Sequence, residues 1–166
     1  GGKVITVNPL EEAGLKRFKN PQKPMDYFTR GTQITDVFMQ VRINEDISLL
    51  KAIMKLLFQR AEQDPSILDA DFISEKTEGF DAFREDLENY ELDDLVNRSG
   101  VDIKDIQAAV DLVAERDKII ICWAMGLTQH KNGVANIKEC VNLLLMKGSI
   151  GIKGAGTCPV RGHSNV

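Results

Sequence analysis

Three polar segments of the sequence each follow a strand-like stretch, and their side chains are of types that can bind a polar ligand. They are Asn8-Pro9, Arg42–Asp46 and Met125–His130. In open parallel sheets, ligands bind at the carboxyl ends of the strands. We therefore expect these three segments, which are distant in the chain, to lie together along one edge of one sheet.

The residue types within these segments do not by themselves decide a function. Asp46 would stand in the first turn of a helix, where a carboxylate suits the helix dipole without any ligand. His130 and His163 each lie in a polar loop, where a histidine is as often idle as functional. Residue types alone thus lead to an α/β domain with a polar ligand-binding edge.

The sequence lacks the motifs of several common metal-binding and nucleotide-binding sites. The sequence has no Cys-x-x-Cys and no His pair at helical spacing, which argues against a zinc site. It also lacks a Gly-x-Gly-x-x-Gly after a strand and a Walker-type Gly-Lys-Ser/Thr. Cys122 lies in an apolar run and Cys140 on the face of a predicted helix, so we expect both to be unreactive core thiols.

Strands are predicted over 3–8, 37–41 and 119–124. The last run is apolar throughout, which is typical of a central parallel strand covered on both faces. Helices are predicted over 44–60, 64–76, 80–89, 92–98, 102–116 and 134–146, from apolar periodicity and capping residues. Residues 9–31 and 148–166 show no periodicity. This order predicts an α/β fold, a three-layer αβα sandwich with a mainly parallel sheet.

The composition is that of one soluble domain spanning residues 1–166. The chain is 43% hydrophobic and 28% charged. No apolar run reaches the ~18 residues that a membrane span needs. Three widely separated cysteines argue against a secreted disulfide framework and are typical of a reducing compartment, so we expect a cytoplasmic protein.

The net charge of −4 is unevenly distributed along the chain. Residues 62–117 hold 18 acidic and 5 basic side chains, whereas the segments on either side are net basic. A nucleic-acid partner is not expected, because such domains are more often basic as a whole. The basic ends could converge on a small anion, and the acidic middle is also explained as solvated helix surface; the two interpretations are compatible.

The final third of the chain carries an ordered series of motifs. Residues 122–130 read CWAMGLTQH, and after a predicted helix residues 148–166 read GSIGIKGAGTCPVRGHSNV. This series resembles the molybdopterin oxidoreductases, in their formate dehydrogenase alpha-subunit-like branch. That family has Gly-Met-Gly-x-Thr-Gln, a helix, Gly-x-Ile-Gly-x-x-Gly-x-Gly and then Pro-x-Arg-Gly. Looser similarity extends over the rest of the chain.

The resemblance implies a Rossmann-like domain that cradles one of two molybdopterin guanine dinucleotides around molybdenum or tungsten. It places Asn8, Pro9 and Asp46 at the guanosine end, with the Asp46 carboxylate accepting hydrogen bonds from the guanine base. Guanine presents paired donors, which suit a carboxylate.

The resemblance also implies positions for the pyrophosphate, the pterin and the substrate. The remaining cofactor-binding residues would be Met125, Gly126, Thr128, Gln129, Gly162 and His163. Glycine permits the close approach of backbone N–H donors to a dinucleotide. Arg161 would lie near the metal as the catalytic residue that holds an anionic substrate such as formate, since its guanidinium offers a planar fork to a carboxylate.

In that family the [4Fe–4S] cluster and the metal ligand are provided by residues preceding this region. The chain begins without Met and ends within the motif, so we expect an excised internal domain of a larger enzyme. The intact protein would be a molybdopterin-dependent oxidoreductase that works with its remaining domains and an electron-transfer partner. This chain alone is expected to be inactive. The alternative is a non-catalytic α/β module that binds nucleotides or other proteins.

Overall fold

The computed structural model describes residues 1–160, which form six short strands and eight helices. The strands are β1 (Ile5–Val7), β2 (Arg17–Phe18), β3 (Thr32–Gln33), β4 (Val37–Met39), β5 (Ile120–Trp123) and β6 (Gly156–Pro159). The helices are α1 (Ala13–Lys16), α2 (Asp46–Ala61), α3 (Ala70–Lys76), α4 (Phe80–Glu88), α5 (Leu92–Ser99), α6 (Ile103–Ala114), α7 (Met125–Thr128) and α8 (Gly133–Met146). Turns of 3₁₀ helix cover Pro24–Tyr27 and Pro65–Ile67.

The strands pair in three two-stranded sheets. β1 pairs with β4 in parallel, with Ile5 opposite Val37, and β5 pairs with β6 in parallel, with Ile120 opposite Gly156. Only the small β2–β3 pair of the described region is antiparallel. Parallel neighbours need a long crossover connection, and α7 and α8 provide it between β5 and β6. The predicted α/β class with mainly parallel pairing is confirmed.

The predicted central position of residues 119–124 is wrong within the described residues. β6 is the one strand that pairs with β5 there, and Ile120 is 55% exposed. Ile119 and Ile121 pack on the core, while Ile120 and Cys122 face the other way. The run is apolar throughout, but successive side chains point to opposite faces of a strand, and only one face meets the core.

The predicted burial of the two cysteines has a different outcome for each. Cys122 is exposed, so its predicted burial is wrong. Cys140 is buried on α8, and that prediction is confirmed.

Helix α2 is the centre of the hydrophobic core. It packs against α5, α6 and α8, and its inward face carries the apolar stripe that the sequence predicted. Met54 and Leu57 of this stripe are fully buried, and so are Leu49 and Ala52, which the predicted stripe did not include. Burying one such large side chain contributes roughly 1.5–3 kcal/mol. This packing holds the N-terminus of α2 in a fixed place.

Two predicted helix starts differ from the structure. Asn44 does not cap α2; it has a φ of 71°, and Glu45 precedes the helix. Asparagine tolerates this left-handed conformation, so it serves as a turn residue instead. The predicted helix over 64–76 is split, because the Asp69 N–H donates to the Met146 carbonyl at 3.1 Å and draws the chain toward α8. The Asp69 carboxylate then caps α3 through the Phe72 N–H.

Two stretches without periodicity contain regular elements. Residues 9–31 include α1 and β2, and residues 148–160 include β6. The sequence of β6, Gly-Thr-Cys-Pro, concealed the strand because glycine and proline are depleted in strands. Within residues 1–160, none of the helices has the length and apolarity to cross a bilayer.

Candidate functional site

The carboxyl ends of β1 and β4 lie side by side, as the sequence predicted. The Asn8 N–H donates to the Met39 carbonyl at 3.2 Å, and the Gln40 side-chain amide donates to the Pro9 carbonyl at 3.0 Å. The Asn8 amide nitrogen also donates to the Leu10 carbonyl at 2.6 Å, which fixes the turn after β1. The Asn8-Pro9 turn is thus held rigidly beside the segment that leads to α2.

The turn between β4 and α2 is built by internal contacts of Arg42 and Glu45. Arg42 donates through Nη1 to the Asn97 carbonyl at 2.6 Å, which attaches it to α5. The Glu45 carboxylate accepts hydrogen bonds from Ser48 and from Arg98 Nε. Both side chains are therefore occupied in positioning the turn.

Asp46 is the first residue of α2 and is half-buried. Burial raises the pKa of its carboxyl group, while a hydrogen bond from its own N–H and the charge of His130 act in the opposite direction. No ion pair among residues 1–160 includes Asp46. A partly desolvated carboxylate of this kind favours a ligand that supplies hydrogen-bond donors.

The last residue of the segment 125–130 acts electrostatically on the N-terminus of α2. His130 lies near enough to influence Asp46, and the Asp46 charge in turn acts on Cys140 of α8. Burial and the charges of Asp46 and Glu139 raise the pKa of Cys140 to about 11. The contact of α2 with α8 therefore brings His130 within electrostatic range of Asp46.

The prediction that the three segments share one sheet is wrong. β1 and β4 belong to one sheet and β5 belongs to another, so the segment after β5 reaches Asp46 by way of α8. Helix packing, which the strand pattern does not reveal, makes this connection.

An asparagine pair underlies the segment 125–130. The buried Asn136 donates to the Leu127 carbonyl at 3.0 Å, and Asn132 donates to Asn136 Oδ1 at 3.4 Å. Asn132 Oδ1 is buried and has no hydrogen-bond partner within the described part of the chain. Sequence analysis missed both residues, although two asparagines four apart at the start of a predicted helix were a visible signal.

The segment 125–130 leaves open space beside α7. A Cβ on Gly126 would have no other protein atom within 4 Å, so the space beside α7 is open to a ligand. Thr128 and Gln129 are exposed at this place, and Met125 is contacted by the Gln129 amide at 3.4 Å. The Asp46 carboxylate offers two acceptor oxygens, whereas the unpartnered Asn132 Oδ1 is buried.

The predictions for Arg161, Gly162 and His163 fall outside the described residues. They stay predictions from the motif. Among the side chains that the structure describes, which exclude residues 26 and 27, no group of three or more His, Cys, Asp and Glu is placed to hold a metal ion.

Comparison with known proteins gives several full-length matches to the chain, although no family model matches it. Protein YdeP of Escherichia coli K12 is 46% identical over 172 residues, which cover 100% of this chain and 23% of that protein. The oxidoreductase Rv2900c of Mycobacterium tuberculosis H37Rv is 43% identical, covering 100% of the chain and 21% of that protein. The alpha subunit of F420-dependent formate dehydrogenase 1 of Methanococcus maripaludis is 32% identical over 84% of the chain and 20% of that subunit.

The chain fits a domain of a molybdopterin oxidoreductase. The resemblance inferred from the motifs at 122–130 and 148–166 is thereby confirmed. Acetylene hydratase from Pelobacter acetylenicus has the same fold over 92% of this chain and 18% of its own, with a TM-score of 0.68 at 21% identity. The chain spans about a fifth of the length of the curated relatives that it matches.

Proposed function

We propose that residues 1–166 form one domain that holds the guanine dinucleotide end of a molybdopterin cofactor within a larger oxidoreductase. The observation that carries this proposal is the electrostatic proximity of Asp46, at the N-terminus of α2, to His130 of the segment 125–130. The half-buried Asp46 carboxylate has no ion pair among the side chains that the structure describes.

The guanosine end is assigned to Asp46 and the Asn8-Pro9 turn. The Asp46 carboxylate accepts the paired N–H donors of guanine, and charge-assisted hydrogen bonds of this type contribute about 1.5–3 kcal/mol. The turn after β1 is fixed by the bonds of Asn8 and Gln40, so it presents a rigid wall to the nucleoside.

The pyrophosphate and pterin are assigned to the segment after β5. Gly126 leaves room for the ligand to approach the backbone, and Met125, Thr128 and Gln129 line the same place. Helix α8 begins directly after this segment, and the positive end of its dipole favours a bound phosphate group.

When bound, molybdenum or tungsten with its pterins supplies two-electron exchange with a small substrate. The chain's own residues bind and orient: Arg161 holds a formate-like anion through its two-point fork, and Gly162 and His163 contact the cofactor. The [4Fe–4S] cluster and the metal ligand belong to other parts of the same enzyme, which is cytoplasmic and formate dehydrogenase-like. The enzyme works with a separate electron-transfer partner. This chain by itself does not turn over substrate.

Titration of the chain with guanosine diphosphate, with adenosine diphosphate as the comparison, tests the assignment. We expect guanine-selective binding with a dissociation constant of about 10⁻⁴ to 10⁻³ M, or roughly −4 to −6 kcal/mol. Asp46→Asn should abolish the selectivity. Glu45→Gln changes the neighbouring carboxylate, which is occupied by Ser48 and Arg98, and should preserve it. Equal binding of both nucleotides by the unmodified chain contradicts the proposal and favours a module of another kind.

A further inference from the structure

Cys122 of β5 and Cys158 of β6 are direct partners in the parallel register. Neighbouring strands lie roughly 4.8 Å apart, and disulfides join residues whose Cα atoms are about 4.4–6.8 Å apart. Residues opposite each other in a parallel pair project to the same face, so the two thiols stand side by side. The Cys158 thiol is near enough to raise the pKa of Cys122.

This face of the β5–β6 sheet is open to small molecules among the described residues. Both cysteines are exposed, and Ile120, two residues before Cys122 on the same face, is 55% exposed. The partner of Ile120 is Gly156, which has no side chain to cover the thiols. The two thiols are therefore exposed and also close to each other, whereas a lone surface cysteine has no neighbouring thiol.

We propose that Cys122 and Cys158 are a modification site that forms a reversible disulfide between β5 and β6 by exchange with a small-molecule disulfide. The thiolate of one cysteine attacks the small disulfide, forms a mixed disulfide and releases one small thiol. The second cysteine then loses its proton, attacks the first cysteine sulfur and releases the second small thiol. Two electrons pass from the protein thiols to the oxidant, and excess thiol reverses both steps. This proposal does not depend on the cofactor assignment.

The reaction should be faster at alkaline pH. Partial burial and the neighbouring Cys158 thiol raise the pKa of Cys122, so less thiolate is present at neutral pH. The thiolate is the attacking species. A slow, reversible reaction at neutral pH is consistent with a reducing compartment, where disulfides are transient.

Cys140 provides an internal control. It is buried on α8, and its pKa is raised to about 11, so it should stay reduced under the same conditions.

The cross-link would join the two strands that lead to the motif segments. Met125 follows β5 after one residue, and Val160 follows β6 and donates its N–H to the Trp123 carbonyl at 2.7 Å. Cys122 lies one residue before Trp123, and Cys158 lies two residues before Val160. A disulfide between them therefore fixes the distance between the ends of β5 and β6.

The test is oxidation of the intact protein with oxidised glutathione at pH 8.5, followed by blocking of free thiols, digestion and peptide mapping by mass spectrometry. We expect a peptide that links Cys122 to Cys158, with both thiols restored by dithiothreitol. Cys140 should be recovered as a free thiol. Cys122→Ser and Cys158→Ser should each yield a glutathione adduct on the remaining cysteine, and Cys140→Ser should leave the linked peptide unchanged.

Two results would overturn the proposal. One is recovery of Cys122 and Cys158 as separate glutathione adducts, which means that the sulfur atoms cannot meet. The other is recovery of both as free thiols after oxidation that modifies other cysteines, which means that the face is closed in the intact protein. Because the decisive peptide comes from the unmodified protein, poor folding of a variant does not affect the outcome.

Discussion

Gly133, the first residue of α8, packs directly against the backbone of Thr128: a Cβ on Gly133 would lie 2.6 Å from the Thr128 carbonyl oxygen. The carbonyl is backbone, so it cannot move away as a flexible side chain would. The start of α8 therefore fixes how closely the segment 125–130 approaches this helix. Any ligand held by this segment depends on the absence of a side chain at Gly133.

Gly133→Ala should destabilise the chain by about 1–3 kcal/mol, the usual cost of forcing an extra group into a packed place. The free energy of unfolding, measured with denaturant, gives the effect. Gly126→Ala is the matched control in the same segment, because its Cβ meets no protein atom within 4 Å. It should leave stability unchanged or raise it by about 0.5–1 kcal/mol through helix propensity. Equal losses in both variants would show that the close approach at Gly133 is not the cause.

Gly148→Ala should cost about 2–3 kcal/mol of unfolding free energy. Gly148 has a φ of 59°, which costs an alanine about 1–2 kcal/mol. Its Cβ would also lie 2.8 Å from Asp69 Cγ, and displacing this carboxylate removes the cap of α3, worth about 1 kcal/mol. Gly151→Ala has a similar φ of 79° with no atom near the Cβ, so it should show the conformational cost alone. The prediction fails if the two variants are equally stable.

Asp46→Asn should stabilise the chain at pH 7. Burial raises the folded-state pKa of Asp46, so the folded chain binds this proton more tightly than the unfolded chain does. The contribution of Asp46 to stability is then full below its unfolded pKa and is lost as pH rises through the folded pKa. Asparagine does not ionise, so its advantage should be largest near neutral pH and should shrink as pH falls toward 4.

The measurement is denaturant unfolding of both proteins across this pH range. Glu45→Gln is the control and should be less stable than the unmodified chain at pH 7, because it weakens the contacts with Ser48 and Arg98. An Asp46→Asn variant that is less stable at pH 7 would mean that the carboxylate is needed by the fold.

The sequence predicted most helices because apolar periodicity and capping residues are local signals. Gly100 ends α5 with a φ of 73°, and the Asp102 carboxylate caps α6, and both residues stand next to a predicted helix boundary. The predictions that failed concern features that depend on residues distant in the sequence. The exposure of Cys122 depends on which elements cover β5, and the break before α3 depends on a bond from Asp69 to Met146. Similarly, the approach of His130 to Asp46 follows from helix packing and has no local signature.

Arg161→Lys in the intact protein should lower kcat/KM for a formate-like substrate by ~10–1000-fold, or about 1.4–4 kcal/mol of transition-state stabilisation. Lysine keeps the charge but loses the two-point grip of the guanidinium. Metal and pterin contents, measured on the same preparation, should not change. Unchanged turnover would remove Arg161 from substrate binding, and loss of bound metal would make it a cofactor residue instead.

The guanine nucleotide content of the intact protein tests the central assignment most directly. Acid hydrolysis of the purified protein, followed by chromatography, measures the guanosine monophosphate released per protein chain. We predict that the unmodified protein and Glu45→Gln release equal amounts, and that Asp46→Asn releases about half as much, since it loses a charge-assisted pair of hydrogen bonds to one of the two guanine dinucleotides. Full guanosine monophosphate content in Asp46→Asn, or none in the unmodified protein, would contradict the account.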